Sequence, residues 1–214
     1  MSARYPVLLD LARRDCLVVG GGNVAERKVR GLLDVGARVT VIAPTATERL
    51  AQEAADGELR WIRRPYRTED LDPRSSGVDR WWFVVAATDD QELNATVAAG
   101  AEAGGVWAND ASARDGGAVS LPAVDRRGPV TLSVSTGGSH PGAAIWLRDL
   151  VSEAIGPEHL AALALVDEVR SGSATGGRPD WRQAVDSGML DLIREGHLAE
   201  AKERLQACLS SSSD

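Results

Sequence analysis

Along the first half of the chain, short apolar runs alternate with stretches whose apolar residues recur at helical spacing. Residues 15 to 20, Asp-Cys-Leu-Val-Val-Gly, form the first run, and Asn23 to Val35 then carries Ala25, Val29, Leu32 and Leu33 on one face. A second run covers Arg38 to Ala43, Thr45 to Ala55 reads as a helix, and Glu58 to Ile62 reads as a third strand. Trp81 to Ala87 is the fourth strand. Thr88-Asp89-Asp90 then caps a helix presenting Leu93, Val97 and Ala101, and Gly105 to Ala108 forms a fifth strand ending at Asn109-Asp110. Parallel neighbours need crossover connections, so this alternation predicts an α/β domain built on a Rossmann-type parallel sheet. Asn23, with Glu26 three residues later, has the capping-box pattern for the first helix, and Gly36 falls where a left-handed C-terminal residue is wanted.

Beyond Asp110 the rhythm changes. Ala118 to Leu121 and Val130 to Ser135 are strand-like with no helix between them, and Asp125-Arg126-Arg127-Gly128 supplies a turn, so antiparallel hairpin material is expected outside the parallel sheet. A helix is expected from about Ala143 to Ile155, and a second from Pro157 with Leu160, Leu163, Val166 and Val169 on one side. Residues 171 to 178 have linker composition. A last amphipathic segment runs from Trp181 to about Leu209 with a break at Gly196. The expected division is a nucleotide-binding domain over residues 1–113, a small β/α region over 114–150 and a helical domain over 151–214.

Composition narrows the class. The chain has 214 residues, 43% hydrophobic and 26% charged, which suits a globular protein with a real core. No apolar run reaches the roughly 18 residues that span a bilayer, and the first residues lack the apolar stretch of a secretory signal, so a cytoplasmic protein without a membrane role is expected. A net charge of −7 argues against nucleic acid as a partner. Cys16 and Cys208 make neither a disulfide framework nor a zinc spacing, and His140, His159 and His197 are not spaced as ligands, so no metal site is expected.

The chemistry is densest at Gly20-Gly21-Gly22-Asn23-Val24-Ala25, a G-x-G-x-x-A motif between a predicted strand and a predicted helix. Gly20 permits a tight turn, Gly22 lets the backbone approach a pyrophosphate, and Ala25 lets helix and sheet pack closely, while the helix N-terminus favours phosphate charge. Asn23 and Val24 complete this set of expected cofactor contacts, with Thr88 at the end of the fourth strand. The acidic residue usual at the end of strand two is replaced by Ala43-Pro44-Thr45, which leaves ribose recognition to backbone groups around Pro44 or to Thr45. With no arginine immediately there, NAD is expected rather than NADP.

Three separated motifs stand in register: Asp15 to Lys28 around the glycines, Ala86-Ala-Thr-Asp-Asp90 with Leu93-Asn94, and Val134-Ser-Thr-Gly-Gly138 with Pro141. On these residues the chain resembles the precorrin-2 dehydrogenase/sirohydrochlorin ferrochelatase family of sirohaem synthesis, over roughly residues 3 to 155. The resemblance implies NAD-dependent oxidation of precorrin-2 to sirohydrochlorin, a step that many members follow with insertion of ferrous iron as a substrate. It also implies a homodimer formed through the 114–150 region, a helical domain, and a stand-alone form without the methyltransferase domain of bifunctional sirohaem synthases.

By the same resemblance, Asp110 is the counterpart of the family's catalytic aspartate, although a turn at a strand end explains its position equally well without the match. The turn Ser135-Thr136-Gly137-Gly138, with His140 beside it, corresponds to a segment whose hydroxyls and amides can hold substrate carboxylates; a purely structural turn remains the alternative. A tetrapyrrole bears eight carboxylates, so Arg63, Arg64, Arg114, Arg126, Arg127 and Arg148 are candidates for a basic rim. Trp107 stands where family members usually carry asparagine. Two rival functions stay open: a dehydrogenase whose product is metallated by a partner enzyme, and a non-catalytic module that senses NAD or delivers tetrapyrrole.

Overall fold

The computed structural model describes residues 4–113, 117–172 and 181–210, and its contacts divide the chain into two units. The first comprises residues up to Pro122 together with Ser135–Pro141; the second comprises Ala123–Val134 and everything from Gly142 onward.

The first unit is a parallel sheet of β1 (Asp15–Val19), β2 (Arg38–Ile42), β3 (Arg60–Ile62), β4 (Phe83–Ala86) and β5 (Trp107–Asp110) in the order β3-β2-β1-β4-β5. All pairings are parallel, with Val18 of β1 level with both Val41 and Val85. Alternate residues of β1 feed two cores. Cys16 and Val18 join Val39, Val41, Phe83 and Val85 beneath helices α1 (Asn23–Leu33) and α2 (Glu48–Ala55). Leu17 and Val19 join Ile42, Val84, Ala86 and Ala108 beneath α4 (Gln91–Ala103), which contributes Val97, Ala98 and Ala101. A strand covered on both faces must be apolar at every position, which explains the unbroken runs in the sequence. Each fully buried valine or leucine contributes about 1.5–3 kcal/mol. Burial also pushes the Cys16 thiol up to about 12, with the charge of Asp15 adding to it, so the thiol is protonated and inert at neutral pH.

Several boundaries differ from those expected. Helix α1 is capped by Gly22, not Asn23: Gly22 has extended backbone and no side-chain cap, and its carbonyl receives the Glu26 amide at 2.9 Å. The residue that enters the helix first is therefore Asn23, and the N-terminal amides are left to an outside acceptor. Helix α2 begins at Glu48 because the Thr47 hydroxyl accepts the Leu50 amide and ends the preceding turn. Between β3 and β4 lie a 3₁₀ turn at Thr68–Leu71 and the short helix α3 (Pro73–Ser76), neither of which the pattern announced.

Ala118 to Leu121 does not form a strand. The Val119 amide donates to the Ala108 carbonyl at 3.2 Å and the Asn109 side-chain amide donates to the Val119 carbonyl at 2.7 Å, so the segment runs along the outer edge of β5 as a loop. The hairpin instead consists of β6 (Ala123–Arg127) and β7 (Val130–Val134), with Arg127 opposite Val130. Its two-residue turn is Gly128-Pro129, and Gly128 has φ +54, the conformation that a glycine-first hairpin loop requires. Asp125 to Arg127 are thereby strand residues, not turn residues.

In the second unit, α5 (Pro141–Glu153) is tied to this hairpin. Ser152 hydrogen-bonds Asp125, Arg148 donates to the Val124 carbonyl at 3.4 Å, and Arg127 donates to the Ile155 carbonyl at 2.9 Å. Helices α6 (Pro157–Gly172), α7 (Trp181–Asp186), α8 (Met189–Arg194) and α9 (Leu198–Ser210) enclose a separate core around Met189, Ile193, Ala201 and Leu205. The buried stripe of α6 is Ala162, Leu165, Val166 and Val169, leaving Leu160 and Leu163 half-buried. Gly188 as well as Gly196 breaks the last segment, each with positive φ. Ser171 and Gly172 still belong to α6, and the rest of the expected linker lies outside the described residues.

One buried charge holds the segment before β4. Asp70 is 3% exposed; it accepts two hydrogen bonds from Arg64, at 2.8 and 2.5 Å, and one from the Arg67 amide at 2.7 Å, while its own carbonyl receives the Trp81 indole. Burial alone would raise this carboxyl, but the Arg64 and Arg67 hydrogen bonds outweigh burial and hold it below the ordinary carboxylate range. A carboxyl lowered in the folded state contributes stability above its unfolded value of about 4, and that contribution fades as pH falls through the lower folded value. Asp70→Asn is accordingly expected to be less stable than the parent in urea melts at pH 7. The difference should shrink as the melts are repeated at progressively lower pH below about 4.

Candidate dinucleotide site

The three glycines after β1 do three different jobs. Gly20 has φ +124, and a Cβ there would lie 2.3 Å from the Ala87 carbonyl oxygen at the end of β4. A Cβ on Gly21 would lie 2.1 Å from the Thr45 carbonyl oxygen, just after β2. Gly20 and Gly21 are thus pressed between the ends of the two strands that flank β1. A Cβ on Gly22, by contrast, meets nothing within 4 Å. Only this third glycine faces open space, directly at the cap of α1.

That opening lies where the strand order reverses, between β1 and β4, the crevice in which open parallel sheets take ligands. Free amides at a helix N-terminus, an approach kept clear of side chains and no local carboxylate cap together fit a pyrophosphate. Asn23 and Val24 are exposed there, and Ala25 is fully buried in the core, where a larger residue would lift the helix off the sheet. The Thr47 amide donates to the Gly21 carbonyl at 2.9 Å and the Gly20 amide to the Ile42 carbonyl at 3.0 Å, so the turn and the end of β2 are bonded as one piece. Pro44 and Thr45 are exposed beside it.

Thr88 adjoins Gly20 across β4, and its setting is fixed by Asn94, which is fully buried in α4. The Asn94 side-chain oxygen accepts the Thr88 amide at 2.9 Å and pairs with the Thr88 hydroxyl at 2.7 Å, and its nitrogen donates to the Thr88 carbonyl at 3.0 Å. The hydroxyl of Thr88 is therefore occupied, so this residue shapes the crevice through its backbone. Asn94 belonged to a sequence motif but was not singled out as a site residue; a polar side chain in the middle of a helix face that is otherwise apolar was the available signal.

Asp110 ends β5 level with Ala86, so it sits at the same C-terminal end of the parallel strands as the glycine turn. It is 6% exposed. One carboxylate oxygen accepts the Ser112 amide at 2.8 Å, the Ser112 hydroxyl at 2.6 Å and the Ala113 amide at 3.2 Å. Asp110 does make the turn that its position suggested, and these donors hold its carboxylate in one orientation.

Residues 135–141 cluster with the sheet, not with the hairpin that precedes them. Gly137 and Gly138 have φ +64 and +79, a consecutive left-handed pair that other residues adopt only under strain. The Ser135 hydroxyl accepts the Gly137 amide at 3.2 Å, and the Thr136 hydroxyl both donates to the His140 carbonyl and accepts the His140 amide. Both hydroxyls therefore have turn-forming work, while Ser135, Gly137 and the His140 side chain remain exposed.

The arginines considered for a basic rim have different surroundings. Arg64 is engaged by Asp70; Arg127 by Asp125 and the Ile155 carbonyl; Arg148 by Asp149 and the Val124 carbonyl. Arg63 and Arg64 follow β3, at the opposite edge of the sheet from β5 and Asp110. Arg63 lies over the Trp61 ring at 4.2 Å, Arg126 is exposed on β6, and Arg114 lies outside the described residues. Among the described residues no group of three or more His, Cys, Asp or Glu could hold a metal ion.

Residues 7–123 match the family model described as "Putative NAD(P)-binding". A protein named siroheme synthase 3 from Aeromonas hydrophila is 33% identical over 216 residues, covering 97% of this chain and 44% of that protein. Siroheme synthase 1 from Aeromonas salmonicida is 38% identical over 206 residues, covering 92% of this chain and 42% of that protein. The chain therefore spans less than half the length of these curated relatives. Among solved structures, "SirC, precorrin-2 dehydrogenase" superposes with a TM-score of 0.68 at 29% identity, covering 96% of this chain and 98% of that one.

The three glycines are distinguishable by substitution. Gly22 has ordinary backbone and empty surroundings, so Gly22→Ala should leave stability within about 0.5 kcal/mol of the parent. Calorimetric titration should nevertheless show dinucleotide affinity reduced by about tenfold or more, since the methyl occupies the phosphate approach. Asn94→Ala should instead cost about 1–3 kcal/mol in a urea melt, because it strips the Thr88 amide of its acceptor.

Proposed function

This chain belongs to the NAD(P)-binding family, and from that premise we propose that it is one of the precorrin-2 dehydrogenase/sirohydrochlorin ferrochelatase members and oxidises precorrin-2 to sirohydrochlorin with NAD in sirohaem synthesis. The observation that carries the reading is that Gly22, the one glycine of the turn with open space before it, and the buried carboxylate of Asp110 stand at the same C-terminal end of one parallel sheet. The near-complete superposition on a precorrin-2 dehydrogenase supports the choice of substrate.

In this reading the amides at the start of α1 hold the pyrophosphate, and the ends of β1 and β4 form the floor beneath the dinucleotide. NAD, when bound, supplies the hydride acceptor. The substrate loses a hydride from carbon and a proton as the macrocycle gains a double bond, and Asp110 takes that proton. Its carboxylate is suited to this because the Ser112 and Ala113 donors fix one oxygen and prevent the side chain from swinging away. The turn Ser135-Thr136-Gly137-Gly138 and His140 receive carboxylates of the tetrapyrrole, with the exposed Ser135 hydroxyl and His140 side chain as the contact groups.

The same proposal places the protein in the cytoplasm and makes it a homodimer. Ile145, Trp146, Leu150 and Val151 are all close to half or more exposed on α5, within the 114–150 region and just after it, an apolar patch that a second copy would cover. No helix among the described residues is long and apolar enough to cross a membrane. Ferrous iron enters as a second substrate only if sirohydrochlorin is consumed when iron is added.

Incubation with precorrin-2 and NAD, without metal, should give NADH and sirohydrochlorin in equal amounts by absorbance. Asp110→Asn keeps the turn acceptor but removes the base, so it should retain NAD binding while turnover falls by about a hundredfold or more. Tight NAD binding without any turnover by the parent protein would instead favour the sensing or delivery module.

A further inference from the structure

The segment between β3 and β4 leaves a cleft of about 390 Å³ against the last turn of α4. Trp81 and Val106 on its wall stand just before β4 and β5, so it lies at the N-terminal end of these parallel strands. The glycine turn and Asp110 are at the other end of the sheet, and the cleft is no part of the dinucleotide site. Its volume is that of a small-ligand pocket. The walls are fixed by contacts already made. Trp81 is 1% exposed, and its indole donates to the Asp70 carbonyl at 3.0 Å. Arg64 and the Arg67 amide in turn clasp the Asp70 carboxylate, which holds in place the turn that brings Leu71 and Pro73 to the cleft.

The opposite wall is bare of side chains at Gly100, Gly104 and Gly105. Gly100 has a packing reason, since a Cβ there would come within 2.7 Å of Leu71 Cδ1, and Gly105 has a conformational one, with φ +73. Gly104 has neither: its φ is −80, and a Cβ would meet carbonyl oxygens of its own helix at 3.4 and 3.6 Å, ordinary contact. The Ala101 and Glu102 carbonyls are taken by the Val106 and Gly105 amides at 2.9 Å each, so this wall is nearly apolar. Among the described residues the one charged side chain on the lining is Arg80. Its guanidinium lies 4.7 Å from the centre of the Trp82 ring, on which Arg14 also rests at 3.9 Å. No carboxylate among the described residues forms an ion pair with Arg80. Two cations on one ring repel each other, and an anion beside them relieves that repulsion.

We propose that this cleft is a second ligand site, which binds a small aromatic carboxylate. The apolar body of the ligand fills the space between Trp81 and the glycine wall, and its carboxylate pairs with the planar fork of Arg80. Most of the contact area is apolar, and the single charge sets the orientation. One cation on apolar walls does not suit a molecule with several carboxylates, so the tetrapyrrole is not the occupant. The inference stands apart from the dehydrogenase reading and does not depend on it.

The probe is 1-naphthoate, titrated into the intact nitrogen-15-labelled protein and followed through the backbone amide resonances. Saturable shifts are expected at Gly100, Gly104, Gly105 and Val106, with a dissociation constant of about 1 mM that added NAD leaves unchanged. The neutral 1-naphthalenemethanol should bind about tenfold more weakly. Arg80→Ala should weaken naphthoate by about tenfold and leave the neutral probe as it was, which also shows that the cleft is intact. Arg63→Ala removes an arginine stacked on a different tryptophan and should change neither probe. No saturable shift at these four amides, shifts centred on the glycine turn or α5 instead, displacement by NAD, or a naphthoate affinity indifferent to Arg80→Ala overturns the inference.

Discussion

The first unit depends on the absence of two Cβ atoms. Gly20 and Gly21 allow the chain leaving β1 to pass between the Ala87 and Thr45 carbonyls at distances that no side chain would permit. Because the passage is that narrow, the ends of β2, β1 and β4 are held level, and α1 must start immediately beyond them. The helix consequently begins at Asn23, with Gly22 as a cap that has no side chain to satisfy its first amides, which are left to the open crevice. A tight packing requirement and a binding requirement are met by one tripeptide.

The other parts of the site lie at that same end of the sheet. Asn94 fixes the turn after β4 from within α4, and the donors of Ser112 and Ala113 fix Asp110 after β5. The loop from Gly117 is also tied down: Arg4 donates to the Gly117 and Ala118 carbonyls, Glu102 accepts the Ala118 amide, and Asn109 holds the Val119 carbonyl. The strand that bears the proposed base is therefore bounded on its outer side by a bonded segment, which suits a group that must be presented in one orientation.

Much of this was legible in the sequence. Strands buried on both faces write themselves as unbroken apolar runs, and a glycine motif between such a run and a helical pattern has few other uses, so β1 to β5, α1 and the cofactor turn could be read directly. Asp110 was legible as the end of a strand. The cap of α1 was not, because Asn23 satisfies the local capping pattern and only the tertiary squeeze on Gly20 and Gly21 moves the boundary to Gly22. The segment Ala118–Leu121 has strand composition but binds the β5 edge through single backbone and side-chain contacts, and composition cannot distinguish an edge cover from a strand.

The central claim is that the opening at Gly22 seats a pyrophosphate and directs the nicotinamide toward β5. A crystal structure of the protein with NAD measures this most directly. The account predicts phosphate oxygens within hydrogen-bonding distance of the Asn23 and Val24 amides, above the Gly22 Cα, with the nicotinamide on the Asp110 side of β4. A dinucleotide bound away from the α1 N-terminus, or one running in the opposite direction with its adenine beside Asp110, would contradict it.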